Sequence, residues 1–404
     1  MSKPSHIFSP LAEQLEPEGA FVYLDLANEA RRKGLDIISF GIGQPDFQPP
    51  RESIEAVKEA LEKGNTRYIS PLGLQELREM IARYVSQKYG VDVKPSEVAV
   101  TVGAKAALFM AISLLTRPGD DIIVQDPAFP TYECVVRYAG GRPVFVKLRE
   151  ENDFRLLPED VDKALTSTRK PRGMIINSPH NPTGSVLEKS DVEGLLELAK
   201  RKNMYVISDE IYEDYVYEGK HYSFLSDPEW RDYVVYISGF SKTWGMTGFR
   251  IGYVVANEKV IKAMDVFATN MYSCPPAPLQ FAAIKALELG IDWFKPKLQD
   301  YKRRRDVAWE ELSKIPGVHV VKSKGAFYLF PNVQEALQRT GLKSVDELAR
   351  QLLFEKGVVL LPGTAFPLWG GDGYMRLSYV LPEEKIREGL RRFREFIVEK
   401  GGVS

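Results

Sequence analysis

Seven short apolar runs, rich in valine and isoleucine, place the strongest constraint on how this 404-residue chain can fold. They lie at residues 97–102, 121–124, 143–147, 172–176, 203–208, 233–237 and 250–256. Segments with helical periodicity separate most of them, at 104–115, 131–139, 158–166 and 188–202. This alternation is typical of a mostly parallel sheet covered by helices on both faces. The sequence therefore predicts an α/β fold around a seven-stranded sheet.

The pattern changes after residue 295, which indicates a second domain. A long helix is predicted at 296–313 and a closing helix at 383–398, with short strands near 318–321, 326–330, 358–360 and 374–379. Earlier in the chain we predict helices around 24–33, 53–63 (capped by Ser53) and 74–89, and a strand at 36–40. A single core stops growing near ~250–300 residues. We predict a large domain at 50–295 and a small α+β domain built from 1–49 and 296–404.

Charge and composition exclude several classes of function. Lys and Arg number 54 against 55 Asp and Glu, so no net charge favours a nucleic-acid partner. The basic run 302–305 is flanked by acids and is interpreted as a solvated helix face. Two cysteines allow neither a disulfide framework nor a four-ligand metal site, and no metal is expected. No run has the length of a membrane span, and residues 1–10 lack a signal-peptide core. A cytoplasmic protein is expected.

Residues suited to chemistry follow the ends of different predicted strands. Gly103, Ala104 and Lys105 follow the first strand, segment 178–184 follows the fourth, Asp209 the fifth, and Lys242 the sixth. Ligands of open α/β sheets bind at this edge. The turn at Gly103 opens a helix, whose free N–H groups suit a phosphate, although many such turns hold no ligand.

Lys242 lies in a small-residue turn between two apolar runs, a position where an ammonium is costly to bury. That cost suits a lysine that acts as a neutral nucleophile and forms an imine. Arg250 adds a fixed cation eight residues later. A snorkelling surface lysine and an arginine at the core edge are the alternative interpretation.

Five motifs, in order along the chain, carry a resemblance to a known family. Residues 180–184 read HNPTG, and residues 238–253 read SGFSKTWGMTGFRIGY. The GAFY of 325–328, the LPGTAF of 361–366 and the MRLS of 375–378 follow. From about residue 36 to the last helix, the chain resembles the class I/II aminotransferases, fold type I enzymes of the aspartate aminotransferase-like superfamily that use pyridoxal 5'-phosphate.

The resemblance implies roles for individual residues. Lys242 would form the imine with the cofactor and then carry the proton as general base and acid. Asp209 would pair with the pyridine nitrogen, Asn181 and Tyr212 would bond the phenolic oxygen, and Phe129 would stack on the ring. The remaining implied cofactor contacts are Gly103, Ala104, Lys105, Ser238, Ser241, Arg250 and Tyr68. The implied substrate contacts are Gly43, Phe129, Asn181, Lys105 and Arg376, with Arg376 on the α-carboxylate.

Simpler interpretations exist for single residues. Asp209 could be a helix N-cap, Arg376 an edge salt bridge, Phe129 a core residue, and His180 an ordinary satisfied histidine. The resemblance also implies a homodimer, in which Tyr68 and segment 270–273 reach the neighbouring site.

The resemblance implies a ping-pong amino transfer, and the choice of donor depends on Lys105. If Lys105 binds a distal carboxylate, the donors are aspartate or glutamate, with 2-oxoglutarate as acceptor. If it only neutralises phosphate, Phe21, Tyr23 and Tyr132 could form a pocket for alanine or aromatic donors. A lyase or synthase of the same superfamily is a rival function. A transcription regulator is a more distant one, since only about 35 residues precede the first match.

Overall fold

A computed structural model describes residues 11, 15, 17–366 and 371–402. The other residues assigned above to the small domain lie outside this described part. The helices are α1 (Gly19–Arg32), α2 (Arg51–Glu62), α3 (Gln75–Tyr89), α4 (Gly103–Leu115), α5 (Thr131–Tyr138), α6 (Pro158–Leu165), α7 (Lys189–Lys202), α8 (Trp230–Tyr233), α9 (Glu258–Met271), α10 (Ala277–Leu289), α11 (Lys295–Leu312), α12 (Gln334–Thr340), α13 (Val345–Lys356) and α14 (Glu383–Gly401). None of these helices is both long and apolar enough to span a bilayer.

The strands form one large sheet and two small ones. They are β1 (Ile38–Ser39), β2 (Val98–Val102), β3 (Asp121–Asp126), β4 (Arg142–Lys147), β5 (Pro171–Asn177), β6 (Tyr205–Asp209), β7 (Val234–Gly239), β8 (Ile251–Val255), β9 (Tyr328–Leu329), β10 (Val358–Val359), β11 (Leu361–Pro362) and β12 (Met375–Ser378). The large sheet has the order β2-β8-β7-β6-β5-β3-β4. This confirms the predicted seven strands and the α/β class.

Strand β8 is the one strand of the large sheet that runs against its neighbours. It pairs antiparallel with both β2 and β7, whereas β3 to β7 pair in parallel. As a result, the start of β8 lies at the same edge as the ends of β2 and β7. Arg250, which precedes β8, is thereby brought to the edge where the other candidate residues are found.

Helices cover both faces of the large sheet, which explains why its strands are continuous apolar runs. Helices α4, α5 and α9 pack on one face, through residues such as Leu108, Val136 and Met264. Helices α3, α7 and α10 pack on the other, through residues such as Ile81 and Leu195. The central strands β3 and β6 are buried along their whole length.

The two ends of the chain pack together. Strand β1 pairs in parallel with β10, and β11, β12 and β9 form a three-stranded sheet. Residues of α1, α11, α13 and α14 share one apolar cluster with these strands. The strand predicted at 318–321 is wrong, because only His319 forms a bridge there, to Asn332. The predicted cap of α2 is also wrong: the helix begins at Arg51 after Pro50, and the Ser53 hydroxyl donates to the Ala282 carbonyl.

A glycine on β8 determines how closely the start of α4 approaches the sheet. A Cβ atom on Gly252 would lie 2.5 Å from the carbonyl carbon of Gly103 and would also collide with the Ala104 amide. Gly103 itself has φ +75°, a conformation that other residues rarely adopt. The two glycines let the N-terminal end of α4 rest directly on β8, beside Arg250.

Candidate active site

Lys242 lies in the turn after β7, and its amine is enclosed by the rest of the site. Its Nζ donates to the Gly43 carbonyl at 2.7 Å, and the rings of Tyr212 and Phe327 lie 5.4 and 5.5 Å away. Burial, followed by the charge of Arg376, lowers the pKa of Lys242 to about 7. A large fraction of this lysine is therefore neutral near pH 7, as a nucleophilic amine requires.

Arg376, on β12, is a buried cation whose hydrogen bonds go to neutral oxygens. Its Nη1 donates to Asn181 Oδ1 at 2.9 Å, and its Nη2 donates to the Gly41 carbonyl. Its Nε has no hydrogen-bond partner among residues 17–366 and 371–402. The rings of Tyr328 and Phe366 cover the guanidinium at 4.5 and 4.7 Å. This guanidinium, which has no anionic hydrogen-bond partner among the described residues, can bind a carboxylate by donating two parallel hydrogen bonds to it.

Asp209, at the end of β6, is a buried carboxyl that receives its hydrogen bonds from neutral donors. The Tyr132 hydroxyl donates to Oδ2 at 2.7 Å, and the Ile211 amide donates to Oδ1 at 3.3 Å. Burial raises the pKa of Asp209 from 3.8 to about 6. A cation placed beside this carboxyl would offset the cost of its burial.

Asn181 and Tyr212 are held by neighbours that restrict how each can bond. A guanidinium only donates, so Asn181 presents Oδ1 to Arg376 and its Nδ2 is directed elsewhere. The backbone N–H of Asn181 donates to Asn177 Oδ1 at 2.8 Å, which fixes the loop after β5. The hydroxyls of Tyr212 and Tyr328 share a hydrogen bond of 2.8 Å. If Tyr328 donates, the Tyr212 proton remains available for another acceptor.

The opposite end of the site is positively charged. A Cβ atom at Gly103 would lie 2.5 Å from the guanidinium of Arg250, so this cation covers the start of α4. Val102, which precedes the helix, provides no side-chain cap for the α4 amides. Lys105 lies in the first turn of the helix, and its Nζ is 5.1 Å from the centre of the Phe129 ring. It forms an ion pair with Glu18, which the sequence did not indicate.

Other predicted residues lie apart from this centre. Ser241 is buried next to Lys242, but the Ser238 hydroxyl donates to Glu213 at 3.1 Å, within a separate buried network. The apolar alternative is not assembled: Phe21 is exposed, Tyr23 packs with the chain-end cluster, and Tyr132 is bonded to Asp209.

The residues predicted to reach a neighbouring subunit are mostly exposed. Tyr68 is 87% exposed. In segment 270–273, three residues are exposed. Tyr272 instead turns toward α4, where its hydroxyl lies 3.9 Å from the Met110 sulfur.

Sequence reasoning missed several contributors: Gly41, whose carbonyl binds Arg376, and Asn177, Tyr328 and Glu18. Tyr328 lies in the recognised GAFY motif, so its position was available although its contact was not. Gly41 lies in the segment rich in glycine and proline between β1 and α2. No sequence signal pointed to Glu18.

Comparisons with known proteins agree with this geometry. The family model described as aminotransferase class I and II matches residues 35–393. The chain therefore belongs to the class I and II aminotransferases. The aspartate aminotransferase of Sulfurisphaera tokodaii is 45% identical over 98% of both chains. Among solved structures, the aspartate aminotransferase of Thermus thermophilus with maleate has a TM-score of 0.89 at 35% identity, covering 96% of this chain and 99% of that one. The aromatic aminotransferase of Pyrococcus horikoshii has a TM-score of 0.85 at 38% identity, covering 92% and 99%.

Aminotransferases of this family depend on pyridoxal 5'-phosphate, and the residues of this transaminase fit that group. Asp209 is a buried carboxyl bonded by neutral donors, which suits a protonated ring nitrogen. The uncapped start of α4 beside Arg250 suits a phosphate. Lys242, between these two ends, has the lowered pKa that an amine attacking a carbonyl needs.

Asp209→Asn is expected to stabilise the cofactor-free protein above about pH 6 and to have little effect below about pH 4. Because the folded-state pKa is raised from 3.8 to about 6, folding binds a proton in this window, and wild-type stability falls as pH rises through it. The amide oxygen can still accept from Tyr132. The free energy of unfolding should rise by about 3 kcal/mol, which is measured by urea unfolding at several pH values.

Asp121→Asn serves as a control of opposite sign. A hydrogen bond from Arg142 lowers the pKa of Asp121 to about 2, so this variant should lose stability at neutral pH. That loss should shrink on acidification below the unfolded-state pKa. A gain for Asp209→Asn that did not depend on pH would show that the carboxyl charge is not its source.

Proposed function

We propose that this aminotransferase moves the α-amino group of aspartate or glutamate to 2-oxoglutarate by a ping-pong mechanism. One observation carries the proposal: a buried guanidinium, Arg376, lies close to the amine of Lys242 and lowers its pKa. A second cation, Lys105, stands at the other end of the site. A substrate with two carboxylates and one amine matches these three groups.

The cofactor would be held along its whole length. Asp209 would bind its ring nitrogen, and Asn181 Nδ2 and the Tyr212 hydroxyl would donate to its phenolic oxygen. Phe129 would pack against the ring. The amides of Gly103 and Ala104, together with Ser241, Arg250 and the partner's copy of Tyr68, would bind the phosphate. Ser238 is left out, because its hydroxyl is engaged by Glu213.

When bound, pyridoxal phosphate supplies an electrophilic carbon for the amine and a protonated ring that withdraws electrons from the substrate's Cα. Asp209 keeps that proton on the ring nitrogen. Arg376 binds the α-carboxylate and so fixes the orientation of the Cα–H bond. The Lys242 amine, with its lowered pKa, would act as the base that takes the proton from the substrate's Cα and then as the acid that delivers it to the cofactor. The rings of Phe327 and Tyr328 shield this region from water.

Lys242→Ala should still bind pyridoxal phosphate but lose its covalent attachment. Transamination should fall by about 10²–10⁴-fold or more, because both the nucleophile and the proton carrier are removed. Attachment is measured by mass spectrometry after borohydride reduction, and turnover by a coupled assay. Near-normal transamination by this variant would refute the central assignment, and it would do so whatever the substrate is.

Lys105 supports the choice of a dicarboxylate. A second carboxylate inside the site would be costly without a cation, and Lys105 stands beside Phe129, on the proposed ring-binding side. The structure offers little to the neutral-donor alternative, since Phe21, Tyr23 and Tyr132 do not form one pocket. The relative from Sulfurisphaera tokodaii, named an aspartate aminotransferase, points the same way.

Lys105→Ala should lower kcat/KM selectively for aspartate and spare alanine and phenylalanine. The loss should correspond to about 1.5–3 kcal/mol of transition-state stabilisation, the value of a charge-assisted contact. Lys200→Ala is the control, because Lys200 lies on helix α7, away from the site, and pairs there with Asp227 and Glu229. If Lys105→Ala lowers kcat/KM equally for all donors, Lys105 is a phosphate residue and the dicarboxylate assignment fails.

The enzyme is further proposed to be a homodimer with shared sites. Tyr68 is exposed, and the apolar side chains of Val266 and Met271 are exposed near the end of α9. Exposed apolar groups of this kind suit a subunit interface. A large domain at 50–295 and a small domain formed by the two chain ends, acting in cytoplasmic amino-acid metabolism, complete the proposal. The pairing of β1 with β10 supports this division.

Mixed dimers test whether the sites are shared. Lys242→Ala and Tyr68→Ala homodimers are each expected to be impaired. After subunit exchange, a hybrid has one site with both wild-type residues, so activity should return to about a quarter of the wild-type value. No recovery, despite hybrid formation confirmed by native mass spectrometry, would place Tyr68 in its own subunit's site.

A further inference from the structure

We propose that Glu18 lowers the affinity of the site for dicarboxylates: its carboxylate neutralises Lys105 when no dicarboxylate is bound, and the substrate's distal carboxylate must displace it. This inference rests on the proposed function, because it assumes that Lys105 receives the distal carboxylate. It adds a residue of the chain itself that competes for the same cation.

The orientation of Glu18 is the first support. Glu18 is the residue that precedes α1, with φ −68° and ψ 129°, a position where a side-chain oxygen can accept from the helix's own amides. Its side chain makes no such capping bond. Instead it forms an ion pair with Lys105, which lies 87 residues away in the sequence. The carboxylate is therefore directed out of its own helix and into the site.

The electrostatic surroundings of Lys105 explain why an anion lies there. Lys105 is close to Arg250, whose charge, after burial, contributes to lowering its pKa, and it is near the positive end of α4. Glu18 is the ion-pair partner of Lys105 in the described part of the chain. In the protein without cofactor, Lys105, Arg250 and the helix N-terminus would otherwise face one another with no anion between them. The distal carboxylate of aspartate is the same chemical group as the Glu18 side chain, with the same charge and the same need for hydrogen-bond donors.

The exposure of the pair makes the exchange energetically feasible. The Lys105 side chain is 45% exposed and that of Glu18 is 19% exposed. Ion pairs of this kind contribute little to stability, so a substrate that brings its own carboxylate can displace Glu18. A neutral donor has nothing to offer Lys105 and leaves the pair intact. Glu18 thus opposes the binding of dicarboxylates and has no direct effect on the binding of neutral donors.

Glu18 also lies close to the turn that covers the α-carboxylate site. A Cβ atom on the next residue, Gly19, would lie 2.5 Å from Ala365 Cβ, so the start of α1 rests on the turn at 363–366. Phe366 of this turn packs on Arg376 at 4.7 Å. Gly19, beside Glu18, therefore contacts Ala365, beside Phe366. This contact joins the surroundings of the two proposed carboxylate sites, at Lys105 and at Arg376.

The test compares succinate, an unreactive dicarboxylate, with propionate, by titration calorimetry on the holoenzyme. Glu18→Gln should bind succinate about two- to fivefold more tightly than wild type and propionate unchanged. Glu29→Gln is the matched control, because it removes the same charge from α1 at an exposed pair with Lys33. It should leave both affinities unchanged. In a Lys105→Ala background, the effect of Glu18→Gln on succinate should disappear.

The remaining outcomes separate the two hypotheses. If succinate binding depends on Lys105 but is unchanged or weakened by Glu18→Gln, the Glu18 inference is wrong and the dicarboxylate function stands. If Glu18→Gln tightens pyridoxal phosphate but not succinate, Glu18 competes with the phosphate, and the inference is likewise wrong. If succinate binds wild type no better than propionate and Lys105→Ala changes nothing, the dicarboxylate function itself fails.

Discussion

The amine of Lys242 and the buried guanidinium of Arg376 both donate to carbonyls of one short backbone segment, those of Gly43 and Gly41. A buried cation must find oxygen acceptors. A peptide carbonyl satisfies the donors without cancelling the charge, so the site remains positive toward an anionic substrate. The Tyr328 hydroxyl occupies the space where a side chain at position 43 would lie, and this contact fixes the segment. The rest of the site is arranged around these two groups.

The same segment is anchored from the other side by α11. Asp46 accepts from the Tyr301 hydroxyl and from Arg304, both at 2.9 Å. Lys242 belongs to the large sheet and Arg376 to β12, so the segment joins the two halves of the proposed site. A shift of α11 relative to the sheet would therefore alter the contacts of Lys242 and Arg376 with this segment together.

The sequence predicted the large sheet well for a physical reason. Strands buried on both faces read as continuous apolar runs, and each of the seven predicted runs corresponds to a strand. The small strands were less predictable: residues 318–321 are equally apolar, yet only His319 forms a bridge. The sheet topology alone was enough to predict that the candidate residues lie at one edge of the sheet, because each follows the end of a strand. Contacts such as Tyr212 with Tyr328, 116 residues apart, or Lys105 with Glu18 depend on packing that no local pattern encodes.

The antiparallel insertion of β8 has a consequence for the order in which the chain folds. In the described part of the chain, β2 hydrogen-bonds to β8 and to no other strand, and about 150 residues separate the two in the sequence. During synthesis from the N-terminus, β2 and the turn at Gly103 emerge long before their partner strand exists. The two halves of the proposed phosphate site, the start of α4 and Arg250, meet only when β8 inserts between β2 and β7. A ribosome-bound chain that ends before residue 251 therefore lacks a complete phosphate cradle, whatever part of its sheet has already formed.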